Sequence, residues 1–272
     1  MMKIRRSRPY VVGAVLWAIV GHLTAQSLPS QTLELGGKKL VISRESIEEE
    51  LELGKATAAQ ILGANRLLAN ERAQNYVNLV GRHIANQTKR KDLKWSFGVI
   101  DSSAINAFAA PGGYILITSG LMNELQSEDE LAAVLAHEVA HVIRKHHYRV
   151  MRKQKMLEFG AQSVKIVGAD EVNKLSNMTA QILARGLDKK AEFEADQDGM
   201  VYGARAGYDA SALYSVLNRL GALTADKSTE LLNATHPSYG DREQFLIQST
   251  NEALERAATQ SPASQRYAAT FK

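Results

Sequence analysis

Two histidines four residues apart, with a glutamate after the first, are the residues whose types and spacing could do chemistry: His137-Glu138-Val139-Ala140-His141. On a helix that spacing puts both imidazoles on one face, a turn apart, where they can share one tetrahedral metal ion. Glu138 projects about 100° round the same helix, near enough to handle the proton of an attacking water without being a ligand itself. With 7 histidines in 272 residues, chance gives such a run in about one chain in a hundred, so the pattern needs an account. Surface histidines on an amphipathic helix would be the ordinary one. Val134, Leu135, Val139 and Val142 argue against it, because that apolar company predicts a buried helix. Buried paired histidines need partners, and a metal ion suits them.

A catalytic zinc needs a third protein ligand. The run Glu192-Phe193-Glu194-Ala195-Asp196-Gln197-Asp198 offers two Glu-x-x-x-Asp pairs on opposite faces of one predicted helix, Glu192 with Asp196 and Glu194 with Asp198. In either pair the Glu could ligate while the Asp, a turn later, bonds the far nitrogen of a ligating histidine. Periodicity does not separate them, and the pair not used is expected to be a solvated acidic face. His146 and His147, with Arg144 and Lys145, read as a basic helix end away from the His137/His141 face. His83 and Trp95 read as ordinary core or surface residues, and Met151, Met156 and Met200 as flexible packing.

The elements that must position these residues can be sketched from pattern. Residues 33–43 read as a strand pair around Gly36-Gly37. Residues 45–88 read as two helices divided near Asn65–Glu71, with Tyr76, Val80, Ile84 and Thr88 at helical spacing in the second. Trp95, Phe97 and Val99 alternate with Ser96, Gly98 and Ile100, as in a half-buried strand. Two extended segments, 104–110 and 114–118, flank the turn Pro111-Gly112-Gly113. Ser127-Glu128-Asp129-Glu130 is a capping box that opens a long helix reaching to about Arg152. Further helices are expected over 155–185, 188–205, 210–222 and 240–258. The expectation is a helix-rich α+β domain with one small sheet.

Composition narrows the function. There is no cysteine, which excludes a disulfide scaffold, a thiolate zinc site, an iron–sulfur cluster and a thiol nucleophile. The net charge of +4 suggests nucleic acid, but Lys3, Arg5, Arg6 and Arg8 supply the whole excess and leave 29 basic against 29 acidic residues from Gln26 onward. A nucleic-acid binder carries its basic excess in the folded body, so nucleic acid is not an expected partner. The same start, basic residues followed by the apolar run Tyr10–Ala25, reads as a signal peptide over 1–25 or a retained N-terminal anchor. Residues 26–258 then form a single domain, and 259–272 a disordered tail.

The run Asn106 to Tyr114, then Thr118-Ser119-Gly120-Leu121, then Ser127 to Ala132 leading into His137–His141, resembles the zinc metallopeptidase family containing HtpX and the CAAX prenyl proteases. The similarity runs from about 45 to 245, through Gly207-Tyr208-Asp209, Thr235-His236-Pro237 and Asp241-Arg242, and points to the exported branch that includes BepA and LoiP. The resemblance implies a zincin-like domain holding one Zn2+ per chain on His137, His141 and Glu192, with Glu138 catalytic and Asp196 behind the ligands. It implies that the strand Asn106, Ala107, Phe108 and Ala109 binds extended substrate, and that His236 can approach the metal; a turn histidine before Pro237 is the plainer reading. Asp188-Lys189 stands where the family has Ser-Arg, so the start of that helix is expected to pack differently. The implied function is a periplasmic or membrane-anchored endopeptidase for unfolded or misassembled envelope proteins. The alternative is a latent protease acting mainly as a chaperone or assembly factor, with contact to the membrane or outer-membrane assembly machinery left open.

Overall fold

The computed structural model describes residues 31–35, 38–42, 46–161, 186–223 and 227–249. The expected signal segment, the tail, and the parts of two expected helices beyond 161 and 249 lie outside the described residues. The chain divides into two compact units, Met1–Glu45 and Ser46–Lys272. In the first, β1 (Gln31–Leu35) and β2 (Lys38–Ile42) form an antiparallel pair, as the strand-pair pattern predicts.

The second unit begins with α1 (Ile47–Ala64), capped by Ser46, and α2 (Glu71–Ala85), capped by Asn70. A three-stranded sheet follows: β3 (Ser96–Ile100), β4 (Ala107–Ala110) and β5 (Tyr114–Thr118). Their order is β3-β5-β4, with β5 parallel to β3 and antiparallel to β4. The turn between β4 and β5 needs Gly112 and Gly113, whose φ angles of 75° and 92° are costly for residues with a Cβ. β3 is not half-exposed as its alternation predicts: Phe97 through Ile100 are all buried. The second face is covered as well, where Ile61 of α1 packs with Ile100, Leu116 and Phe108, and α2 in addition uses side-chain amides along the free edge of β3. Gln74 donates to Val99 O at 2.8 Å and accepts from Val99 N at 2.9 Å; Asn78 accepts from Phe97 N at 3.2 Å and donates to Phe97 O. A helix thus satisfies a sheet edge, and β4 is the edge left without such a partner among the described residues.

Beyond the sheet come α3 (Ser119–Glu124), α4 (Glu128–Ile143), α5 (His146–Ala161), α6 (Lys189–Arg205), α7 (Ala212–Ala222), α8 (Glu230–Thr235) and α9 (Tyr239–Ser249). The short helices α3 and α8 are not visible in the sequence pattern. The capping box forms in part: Ser127 Oγ accepts from Glu130 N at 3.1 Å, while Glu130 reaches past the cap to accept from Gln126 N at 2.7 Å. The expected helix to Arg152 is in fact two. It breaks at Arg144 and Lys145, where Lys145 has a φ of 57° and its ammonium lies 3.2 Å from the fully buried Glu50 carboxylate. One core runs from Val77, Val80 and Ile84 through Val99, Ile115 and Ile117 to Leu131, Leu135 and Val139, so α4 is wrapped on most sides. No helix among the described residues is long and apolar enough to cross a membrane.

Candidate metal centre

α4 presents His137, Glu138 and His141 from the interior, with 4%, 3% and 1% of each exposed. The close neighbour is α6, and Gly199 lets the two helices meet: a Cβ there would sit 3.0 Å from the backbone nitrogen of His137. α6 starts at the cap Asp188, whose carboxylate accepts from Ala191 N at 2.8 Å, and Lys189 is tied to Asp241 of α9 at 2.7 Å. That start aims Glu192 and Asp196 at α4.

The imidazole Nε2 atoms of His137 and His141 lie 2.9 Å apart, facing each other. Glu192 carboxylate oxygens are 3.6 Å and 3.5 Å from those two nitrogens. His236 Nε2 approaches Glu192 Oε2 at 3.7 Å, and one ligand atom from each of the four residues falls within 4.8 Å of the others. Glu192 Oε2 is buried without a hydrogen-bond partner. Two imidazole nitrogens and a carboxylate oxygen that has no hydrogen-bond partner converge in a buried recess, a donor set suited to a cation, so the residues fit a metal ion. His137, His141 and Glu192 are the set that could hold it, with His236 able to add a fourth contact.

Around this set the polar atoms are organised. Asp196 Oδ1 lies 2.8 Å from His137 Nδ1, and Arg242 clamps the same carboxylate at 2.6 and 2.9 Å. Burial opposes ionisation of Asp196, but the Arg242 guanidinium outweighs it and holds the carboxyl well below the usual range. Burial likewise lowers the His137 pKa, yet Asp196 and Glu192 raise it on balance to about 9. Burial pushes His141 down. For Glu138 burial dominates and lifts its carboxyl to about 7, a value suited to taking up and giving back a proton near neutrality.

Asn106, at the start of the β4 segment, is fully buried, and both of its side-chain amide atoms lack a partner. Its backbone is pinned to Thr118 of β5 by three hydrogen bonds of 3.0 Å. It lines a cavity with Ala107, Phe108, Glu138, Glu192 and His236. The strand and the histidine helix therefore share one recess.

Three placements differ from the sequence-based expectations. His146 and His147 are not a distant basic end. The break at Lys145 folds the chain back so that His146 Nδ1 lies 2.9 Å from His141 Nδ1, while His147 lines the recess with Glu138 and Glu192. Glu194 and Asp198 are not merely solvated: Asp198 pairs with Arg144 at 2.7 Å, and Glu194 lies 3.3 Å from His146. Arg242 was visible only as part of a terminal motif, since its partner Asp196 is 46 residues away.

The geometry agrees with the comparisons with known proteins. The sequence profile of peptidase family M48 matches residues 71–249. A mitochondrial metalloendopeptidase OMA1 of Arabidopsis thaliana is 25% identical over 88% of this chain and 48% of its own length. The beta-barrel assembly-enhancing protease of Escherichia coli strain K12 is 27% identical over 79% of this chain and 45% of its own. The OMA1 metalloendopeptidase of Schizosaccharomyces pombe is 30% identical over 60% and 49%. The chain spans about half the length of these relatives. The matched region takes in the whole cluster from Asn106 to Arg242, and on that ground the chain belongs to peptidase family M48.

Proposed function

We propose that the chain is a zinc-dependent endopeptidase that cleaves unfolded or misassembled proteins outside the cytoplasm, in the periplasm or anchored beside it. The observation that carries this reading is the convergence of His137, His141 and Glu192 with Glu138 buried next to them. When bound, zinc supplies Lewis acidity, making a nearby water acidic enough to attack at neutral pH and polarising the carbonyl under attack. The protein's own residues do the rest. Glu138 takes the water proton on its carboxylate and returns it to the leaving amine. Asp196, held by Arg242, fixes the His137 ring with Nε2 turned inward.

Substrate binding falls to the strand. Ala107, Phe108 and Ala109 belong to the edge strand β4 and Asn106 immediately precedes it, and an extended chain can add to that edge by main-chain hydrogen bonds. The unpartnered amide of Asn106 offers one donor group and one acceptor to a passing peptide bond. Beside Glu138 and His236, an apolar recess walled by Ala107, Val134, Leu213, Leu217 and Leu232 suits a nonpolar substrate side chain. Main-chain pairing reads extension rather than sequence, which fits quality control. The relatives are named as a metalloendopeptidase and as a protease that enhances beta-barrel assembly.

Purified protein is expected to carry one zinc per chain and to cleave casein, with cleavage lost on chelation and in Glu138→Gln while that variant keeps its metal. Cleavage undiminished in metal-loaded Glu138→Gln would overturn the mechanism. A latent protease acting mainly as an assembly factor is favoured by one observation, the approach of His236 to the ligand set. Wild-type protein that holds zinc yet leaves casein intact, and becomes active on His236→Ala, would decide for it.

A further inference from the structure

His141 has two ring nitrogens, and the structure engages both. Nε2 faces His137 and Glu192, the side offered to a metal. Nδ1 lies 2.9 Å from Nδ1 of His146, and Nε2 of His146 lies 3.3 Å from Glu194 Oε2. Glu194 is in turn 3.4 Å from Arg144 Nη1. A ring that gives its Nε2 lone pair to a cation carries its proton on Nδ1, and a buried N–H needs an acceptor. His146 Nδ1 is the acceptor supplied. That choice places the His146 proton on Nε2, facing the Glu194 carboxylate.

We infer that His146 is a positioning residue for the metal centre, accepting a hydrogen bond from His141 Nδ1–H in a chain His141–His146–Glu194. It does for His141 what Asp196 does for His137, with a histidine inserted between ring and carboxylate. The inference rests on the proposed reading that His141 binds zinc. The backbone supports it independently. In an unbroken helix, residue 146 would stand about 140° round from residue 141, out of reach. The contact exists because α4 stops at Ile143 and Lys145 takes its left-handed conformation. His146 is 7% exposed, held between the ligand helix and the face of α6 that carries Glu194 rather than Glu192.

The test is zinc affinity of the full chain, measured by competition against a chromophoric chelator, for wild type, His146→Leu and His146→Asn. Leucine fills the space without an acceptor; the asparagine amide oxygen can stand near the place of Nδ1. Expected is a 10- to 100-fold loss of affinity in His146→Leu, with most of it recovered in His146→Asn. The visible absorption bands of the cobalt-loaded protein should shift in the leucine variant and return toward wild type in the asparagine one. Melting of the metal-free forms checks folding, and if His146→Leu does not fold, His146→Ala takes its place as the variant without an acceptor and is compared with His146→Asn in the same way. Unchanged affinity in His146→Leu, or equal losses in the leucine and asparagine variants, would overturn the inference and leave the zinc reading intact. Wild-type protein that binds no zinc would instead overturn the reading on which it stands.

Discussion

A neutral imidazole at His236 is the residue best placed to compete with substrate for the centre. Its Nδ1 is held 2.9 Å from Thr235 Oγ1, so Nε2 points toward Glu192. Burial pushes its pKa down to about 4, which keeps its lone pair available at neutral pH. His236→Ala should therefore retain zinc and raise cleavage of an unfolded substrate several-fold. A loss of roughly a hundredfold in turnover would instead make His236 a stabiliser of developing negative charge on the carbonyl oxygen. The comparison is steady-state kinetics at equal zinc occupancy. At this scale the sequence was informative where chemistry is local. His137, Glu138 and His141 are one helical turn, and their buried setting followed from valines and a leucine a few positions away. Choosing Glu192 over Glu194 was beyond periodicity, because both faces of α6 meet polar partners. His146 could not be placed without knowing that the helix breaks before it.

That break is the clearest case of tertiary structure overruling local signal. No Gly, Asn or Pro punctuates residues 143–147, and the helical pattern runs on unbroken. The break places Lys145 beside Glu50, nearly a hundred residues earlier, which takes Lys145 at 3.2 Å and Arg90 at 3.1 Å in the interior. Placing a residue with a Cβ in the left-handed region costs about 1–2 kcal/mol. Lys145→Ala loses the ammonium and keeps that cost; Lys145→Gly loses both. The glycine variant should consequently be more stable than the alanine variant by about 1 kcal/mol, read from urea unfolding of the metal-free protein. Equal stabilities would mean that Lys145 is not strained there. Elements with caps and turn glycines of their own, such as α1, α2 and the β4–β5 turn, were legible from the sequence. β3 was legible as a strand but not as a buried one, since the cover that Ile61 of α1 gives to its Ile100 face cannot be read from the alternation within β3.

On the scale of the whole molecule, the candidate ligands come from α4, α6 and the segment after α8, so one bound ion would join parts of the chain a hundred residues apart. An ion bound only by the folded form stabilises it by about 2.7 kcal/mol at a free concentration a hundred times its Kd. For a domain of this size that is about 5–10 °C in melting temperature. Calorimetry with and without chelator should show a drop of that order; an unchanged melting point would place the ion outside the folded framework. The sheet carries a further consequence. One of its edges is closed by amides from α2, while the other is four residues of Ala and Phe, about 13 Å of backbone without a lysine or proline to repel a newcomer. If β4 binds substrate as proposed, such an edge would grip only a client that can lend a comparable length of straightened chain, which a well-folded protein lends for a small fraction of the time. Selection then rests with the client. On that reading each 1.4 kcal/mol by which a target resists opening locally would slow its destruction about tenfold, so an edge left open among the described residues would make the protein a gauge of its neighbours' local stability.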